Sequence, residues 1–285
     1  MSSVLDFQAP EHGRTAVLVE VPHAGLAIPA PLEAEILASE DVRMRDADTF
    51  VDELFALAPS AGAALLSARN SRYVADLNRA PDDVELGFFD DSSAGQGTTS
   101  RYGHTPRQPR GVVWRVTTDG RPVLRTPLDP TALRERIALY HEPYHARLRE
   151  ELERTRQQFG YVILVAGHSM PSSVRRYGRE VERRADIVPG TLGRTSADPR
   201  VIDLVERHFR AAGLSVRHDE PYRGGYTTAH YGQPGVGQHA IQIEINRALY
   251  MDELTCTRKT AELARLQQLL KDLVVQLGAL DLGAH

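Results

Sequence analysis

The chain has 285 residues, 41% hydrophobic and 25% charged, with a net charge of −4. This is the composition of a globular protein long enough to bury a substantial core, and it excludes a disordered, collagenous or disulfide-scaffold chain. The acidic balance argues against a nucleic-acid partner, no apolar run approaches the roughly 20 residues of a membrane span, and the lone Cys256 points to a reducing, cytoplasmic setting. The opening MSSVLDFQAPEHGR lacks a basic stretch running into an apolar one, so no secretion signal is expected. Only Lys259 and Lys271 are lysines; the other basic residues are arginines, whose planar fork grips carboxylates through paired hydrogen bonds.

In chain order, Thr15–Val21 reads as a buried strand and Asp48–Ala58 as a helix by its apolar spacing. AALLS (63–67) and RYVADL (72–77) read as short strands. Asp129-Pro130 is an N-cap and first-turn pair that opens a helix to about Gln158. Then follow strand Tyr161–His168, helix Pro199–Ala212, strands Leu214–Arg217 and Ala240–Ile245, and helix Thr257–Leu277. Such alternation implies an α/β fold, a largely parallel sheet covered on both faces, with the ligand outside the carboxyl ends of the strands. One domain over 1–285 is expected, carrying a long loop insertion at 81–127 that is rich in Asp, Gly, Ser, Thr and Pro and reads as a flexible lid or a mobile insertion.

Two buried strands run into histidine, His23 and His168, each beside a glycine that leaves space. Paired in this way they suggest a metal site, which needs a third ligand and an open position for water. Asp46 and Asp48 are the acidic candidates, although a carboxylate ahead of a helix also serves as an N-cap. Glu244 sits in an apolar strand with Gln242 on the same face; it is the candidate general base, with a structural ion pair as its competing role. Arg72, Asn78 and Arg79 in SRYVADLNR could clamp a carboxylate, and Arg223, Gly225, Tyr226 and Thr227 form a second polar patch, with a plain hairpin turn as the competing reading. His141-Glu142-Pro143-Tyr144-His145 matches the HExxH pattern of zinc proteases, but Pro143 breaks the regular helix that such a pair of ligands requires. A kinked helix bringing Tyr144 or His145 near the site is expected instead.

Taken together, VEVPHAGLAIP, DADTFVDELF, SRYVADLNR, PYH, AGHSMPS, DIVPGT, GGYTTAHYG and QIEINRALYMDE resemble the N-formylglutamate amidohydrolase (deformylase) family from Val17 to about Asp252. The family is similar to the zinc carboxypeptidases and the aspartoacylase/succinylglutamate desuccinylase group. The resemblance implies a three-layer α/β/α fold with a mostly parallel or mixed sheet, zinc-carboxypeptidase-like. It also implies hydrolysis of N-formyl-L-glutamate to formate and L-glutamate, the last step of histidine degradation. By the same resemblance His23, Asp48 and His168 would hold Zn2+ (or Co2+, Fe2+ or Mn2+), with Asp46 as the second choice of acid. Glu244 would activate water, and Asn78-Arg79 would take the α-carboxylate. Carboxypeptidases carry a glutamate three residues after the first histidine; here that position is Leu26, so the acid must come from elsewhere. A deacylase of another N-acyl amino acid and a non-catalytic carboxylate-binding protein are the alternatives. The partner expected is a small molecule, with no nucleic acid or membrane, and the oligomeric state stays open.

Overall fold

The computed structural model describes residues 4–84, 110–175 and 181–283. The segment 85–109, which holds His104 and much of the expected insertion, lies outside the described residues. Strands β1 (Leu5–Gln8), β2 (Val17–Val21), β3 (Ala64–Ala68), β4 (Val162–Met170), β7 (Ile187–Gly190) and β8 (Gln238–Asn246) form one sheet in the order β1-β3-β2-β4-β8-β7. Two short strands, β5 (Ser173–Arg175) and β6 (Val181–Arg183), pair antiparallel with each other outside it. The four central strands run parallel, and β1 and β7 close the edges antiparallel. A central parallel strand is covered on both faces, which is why VLVEV of β2 is buried at every position.

Helices α1 (Glu40–Asp46), α2 (Val51–Leu54), α3 (Pro130–Arg136), α4 (Glu142–Phe159), α5 (Pro199–Ala211), α6 (Tyr226–Tyr231) and α7 (Thr260–Gly278) complete the layers. Val19, Ile163, Val165, Ile241 and Ile243 pack against α2, α5 and α7. Leu18, Leu66, Val162, Leu164 and Ala240 pack on the other face against Tyr144, Leu148 and Leu152 of α4 and Tyr231 of α6. The result is a three-layer α/β/α fold with a mixed sheet. Asp129 caps α3 through Thr131 N and Ala132 N, and Asp198 caps α5 through Arg200 N, each followed by proline at the first helical position. Among the described residues no helix is long and apolar enough to cross a membrane.

The structure corrects several expected elements. Asp48–Ala58 yields only the single turn α2, because Phe50 takes a left-handed backbone (φ 67°) ahead of it and Pro59 follows. RYVADL is turn rather than strand: the consecutive Tyr73 and Val74 bury in the same cluster, where the residues of a strand would alternate between faces. Leu214–Arg217 contributes only the bridge Val216–Ile187, and the edge strand is β7 instead. In the described part of the 81–127 stretch, Trp114 and Val123 are buried with Ile36, Val42, Tyr73 and Val74.

The chain leaves β2 for β3 on one side and returns to β4 on the other, so a topological switch point lies between β2 and β4. His23 follows β2 and His168 stands in β4, so both flank that crevice. Gly167 is what lets β4 approach α2, since a Cβ there would lie 2.4 Å from Phe55 Cε2. Gly167→Ala is expected to destabilise the fold by about 1–3 kcal/mol, and Phe55→Leu in the same chain to recover part of the loss. Urea denaturation checks this; an unchanged midpoint for Gly167→Ala would show that the ring yields freely.

Candidate active site

By the two-residue period, Glu20, His168, Gln242 and Glu244 project from one face of the sheet, the α4 side. His168 and Glu244 are register partners on the adjacent strands β4 and β8. His23 reaches the same place from the loop after β2. Asp48 is brought there by the turn after α1, where Asp48 N donates to His23 O at 3.0 Å.

The three side chains meet at one point. Asp48 Oδ2 lies 2.9 Å from His168 Nδ1 and 3.4 Å from His23 Nδ1. One donor atom from each residue falls within 4.8 Å of the others, and all three residues are buried. Ligands about 2.0–2.2 Å from a tetrahedral ion stand roughly 3.3 Å apart, so the set fits a small divalent metal. Burial alone would raise the Asp48 pKa, but hydrogen bonds and charge from His168 and His23 outweigh it and hold the carboxyl well below its ordinary range.

A second layer fixes the imidazoles. His23 Nε2 donates to Asp76 Oδ1 at 2.7 Å, which fixes the ring so that Nδ1 faces Asp48. Asp76 itself accepts from Arg72 at 2.7 Å, from Trp114 Nε1 at 2.9 Å and from Asn78 N at 3.0 Å. Although Asp76 is fully buried, the charges of Arg72 and His23 keep it ionised, well below the usual carboxylate pKa. On the other side Arg247 donates to Ser169 Oγ (3.0 Å), Arg45 O (2.7 Å) and Ala47 O (2.6 Å), bracing the loop that carries Asp48. Asp46 is occupied elsewhere: Tyr73 Oη, Thr118 Oγ1 and Thr118 N all donate to it. Of the two acidic candidates, Asp48 is therefore the one facing the histidines.

Glu244 is buried at the cleft wall. Its pKa is pushed up to about 7 by burial, opposed by the charge of His168 and reinforced by Asp48. Gln242 Nε2 donates to its Oε1 at 2.8 Å. Among the described residues these groups face a cleft of about 1180 Å³. Arg45, Arg72, Arg79, Arg110, Arg184, Arg223 and Arg247 line it against Asp46, Asp48, Glu244 and Glu253, so the wall carries excess positive charge.

The structure brings His23, Asp48, Arg72, Asn78, Arg79, His168, Arg223, Gly225 and Glu244 together on this cleft. Tyr226 and Thr227 do not line it. Thr227 is fully buried and donates through N (2.9 Å) and Oγ1 to Asn78 Oδ1, so it supports Asn78 from behind. Gly225 is required by close approach, since a Cβ there would lie 2.3 Å from Asn78 Nδ2. Arg72 spends its charge on Asp76 and stacks on Trp114 at 4.3 Å, a bracing position. Sequence reasoning gave Asp76, Arg247 and Trp114 no role; the only local signals were the Arg72/Asp76 spacing of four and an arginine directly after a buried strand. Asp186 ties Ser215 to the sheet edge and His230 stacks on Tyr226, both away from the cradle.

Fold and cleft define an α/β enzyme with a buried His/Asp/His donor set of the kind that holds a metal, opening on an arginine-lined wall. A sequence profile described as N-formylglutamate amidohydrolase matches residues 15–251. The N-formylglutamate deformylase of Pseudomonas aeruginosa is 34% identical, covering 93% of this chain and 91% of the relative, and that of Pseudomonas putida is 32% identical, covering 96% and 97%. The crystal structure of N-formylglutamate amidohydrolase from Ralstonia eutropha superposes with a TM-score of 0.81 at 31% identity, over 96% of each chain. The chain belongs to the N-formylglutamate amidohydrolase family.

Asp76→Asn should lower metal affinity by about 10–100-fold, because His23 would lose the partner that fixes its tautomer. Competition with a chromogenic chelator measures this, and an unchanged affinity would remove Asp76 from the site.

Proposed function

We propose that the protein hydrolyses N-formyl-L-glutamate to formate and L-glutamate. The observation that carries this reading is the His23/Asp48/His168 cradle with Glu244 beside it on a wall of arginines. The names of the relatives agree with it. N-formylglutamate is a dianion, and a cationic cleft suits two carboxylates. The single domain, the cytoplasmic setting and the place in histidine degradation belong to the same proposal.

His23, Asp48 and His168 are the residues that would hold the metal, and zinc suits two imidazoles and a carboxylate. Such an ion, when bound, polarises the formyl carbonyl and lowers the pKa of water. Glu244, with one oxygen committed to Gln242, accepts the proton of the attacking water and returns it to the departing nitrogen, which breaks the C–N bond and frees the amine. A carboxylate pKa raised towards neutrality is suited to both halves of that transfer. Asn78 and Arg79 orient the α-carboxylate. Arg223, on the segment that carries Gly225, is placed to take the second carboxylate, and Arg72 holds Asp76.

Purified protein supplemented with zinc should release formate from N-formyl-L-glutamate, lose that activity to a chelator and regain it with added metal. Release of bulkier acyl groups in preference to formyl would instead make it a deacylase of another N-acyl amino acid. Tight binding of substrate without turnover would leave a carboxylate-binding protein. Glu244→Gln should reduce kcat by about 10²–10⁴-fold with little change in KM. Arg79→Lys, which loses the fork geometry, should reduce kcat/KM by about 10–100-fold, and unchanged kinetics would take Arg79 out of the site.

A further inference from the structure

The run His141-Glu142-Pro143-Tyr144-His145 takes no part in the cradle, yet its two histidines are buried and satisfied. Pro143 has no N–H for the carbonyl of Leu139, and its ring would collide with that carbonyl. The helix widens instead: over Ile137–His141 the turn is of the π type, and Glu142 N–H returns to Ile137 O. His141 and His145 then lie side by side, ring centroids 4.2 Å apart.

Both rings point at the chain that carries Asn78 and Arg79. His145 Nε2 donates to Leu77 O and His141 Nε2 to Arg79 O, each at 2.9 Å. A carbonyl only accepts, so Nε2 holds the proton in both. His145 Nδ1 is left to accept from Tyr231 Oη at 2.9 Å. Between the two, Tyr226 N donates to Asn78 O at 3.3 Å. Three successive carbonyls are thus held by groups that do not line the cleft, while the Asn78 and Arg79 side chains do line it. Burial lowers both imidazole pKa values, His145 well below the ordinary range, which keeps these donors neutral.

We infer that His141 and His145 are positioning residues, a pair of imidazoles on a π turn that locks the Leu77–Arg79 backbone so that Asn78 and Arg79 present a preset clamp to a substrate carboxylate. The inference rests on the reading of Arg79 as a carboxylate clamp. A matched set of variants tests it. His141→Leu removes the donor, whereas His141→Gln places an amide N–H near the position of Nε2. His141→Leu should raise KM for N-formyl-L-glutamate by about tenfold or more, the scale of one lost buried hydrogen bond, and weaken calorimetric binding of L-glutamate by a similar factor. Metal content should be unchanged and kcat should stay within about threefold, and His141→Gln should recover most of the loss. In an Arg79→Ala background His141→Leu should add little, because the clamp it serves is already gone.

Equal losses in His141→Leu and His141→Gln, or full additivity with Arg79→Ala, would overturn the inference and leave His141 a stability residue. If the leucine variant does not fold, His141→Asn, too short to reach Arg79 O, takes its place. Parent protein that binds L-glutamate but releases no formate would refute the proposed activity alone, and the calorimetric comparison would still decide the clamp.

Discussion

Two imidazoles and a carboxylate converge on one buried point at the wall of the cleft, and most of the surrounding structure follows from that. A buried ion without partners costs several kcal/mol, and removing one member of a buried pair is worse still. The residues of the cradle are accordingly paired with counterparts. His23 is backed by Asp76, Asp76 by Arg72 and Trp114, and the Asp48 loop by Arg247. The switch point between β2 and β4 is where such an arrangement can be built, because two neighbouring parallel strands deliver their chains to the same crevice and the following loops are free to close around it.

Asp46 and Asp48 show how this constraint divides similar residues. They are two positions apart and both buried, yet Asp46 turns towards Tyr73 and Thr118 and anchors the 110–123 segment, while Asp48 turns towards the histidines. Trp114 is the centre of that anchored wall. Arg72 and Arg110 lie against its ring at 4.3 and 4.6 Å, and its Nε1 donates to Asp76. One aromatic side chain thereby couples the packing of the outer wall to the orientation of His23.

The parts of the site legible in the sequence were those announced by local pattern. His168 and Glu244 interrupt continuous apolar strands, and His23 directly follows one, at the ends where α/β ligands bind. The long α3–α4 stretch was marked by its Asp-Pro opening and its kink by Pro143. The supports were not legible, since they are tertiary: Asp76 meets His23 across 53 residues and Arg247 meets Ala47 across 200. RYVADL has the composition of a strand, but Asp76 inside it is drawn to the cradle, and the consecutive Tyr73 and Val74 bury in one cluster, whereas consecutive residues of a strand face opposite sides. Thr227 stood out only as part of a polar patch beside Gly224 and Gly225, whose lack of side chains allows a close approach. The approach is real, but what comes close is Asn78.

Asn78 joins the two halves of the cleft. Thr227 N–H, which can only donate, fixes Oδ1 as the acceptor and turns Nδ2 towards Gln242 Oε1 at 3.3 Å and His168 Nε2 at 3.2 Å. Gly225 N–H likewise fixes the Gln242 amide, so that its Nε2 must face Glu244. Backbone donors at 225 and 227 thus set the orientation of two amides in sequence, and the second commits one oxygen of Glu244 as an acceptor. The residue proposed to meet the substrate's carboxylate and the carboxylate proposed to move its proton are held by one chain of hydrogen bonds. Its direction is dictated from the main chain, and it needs no side chain to choose its own rotamer.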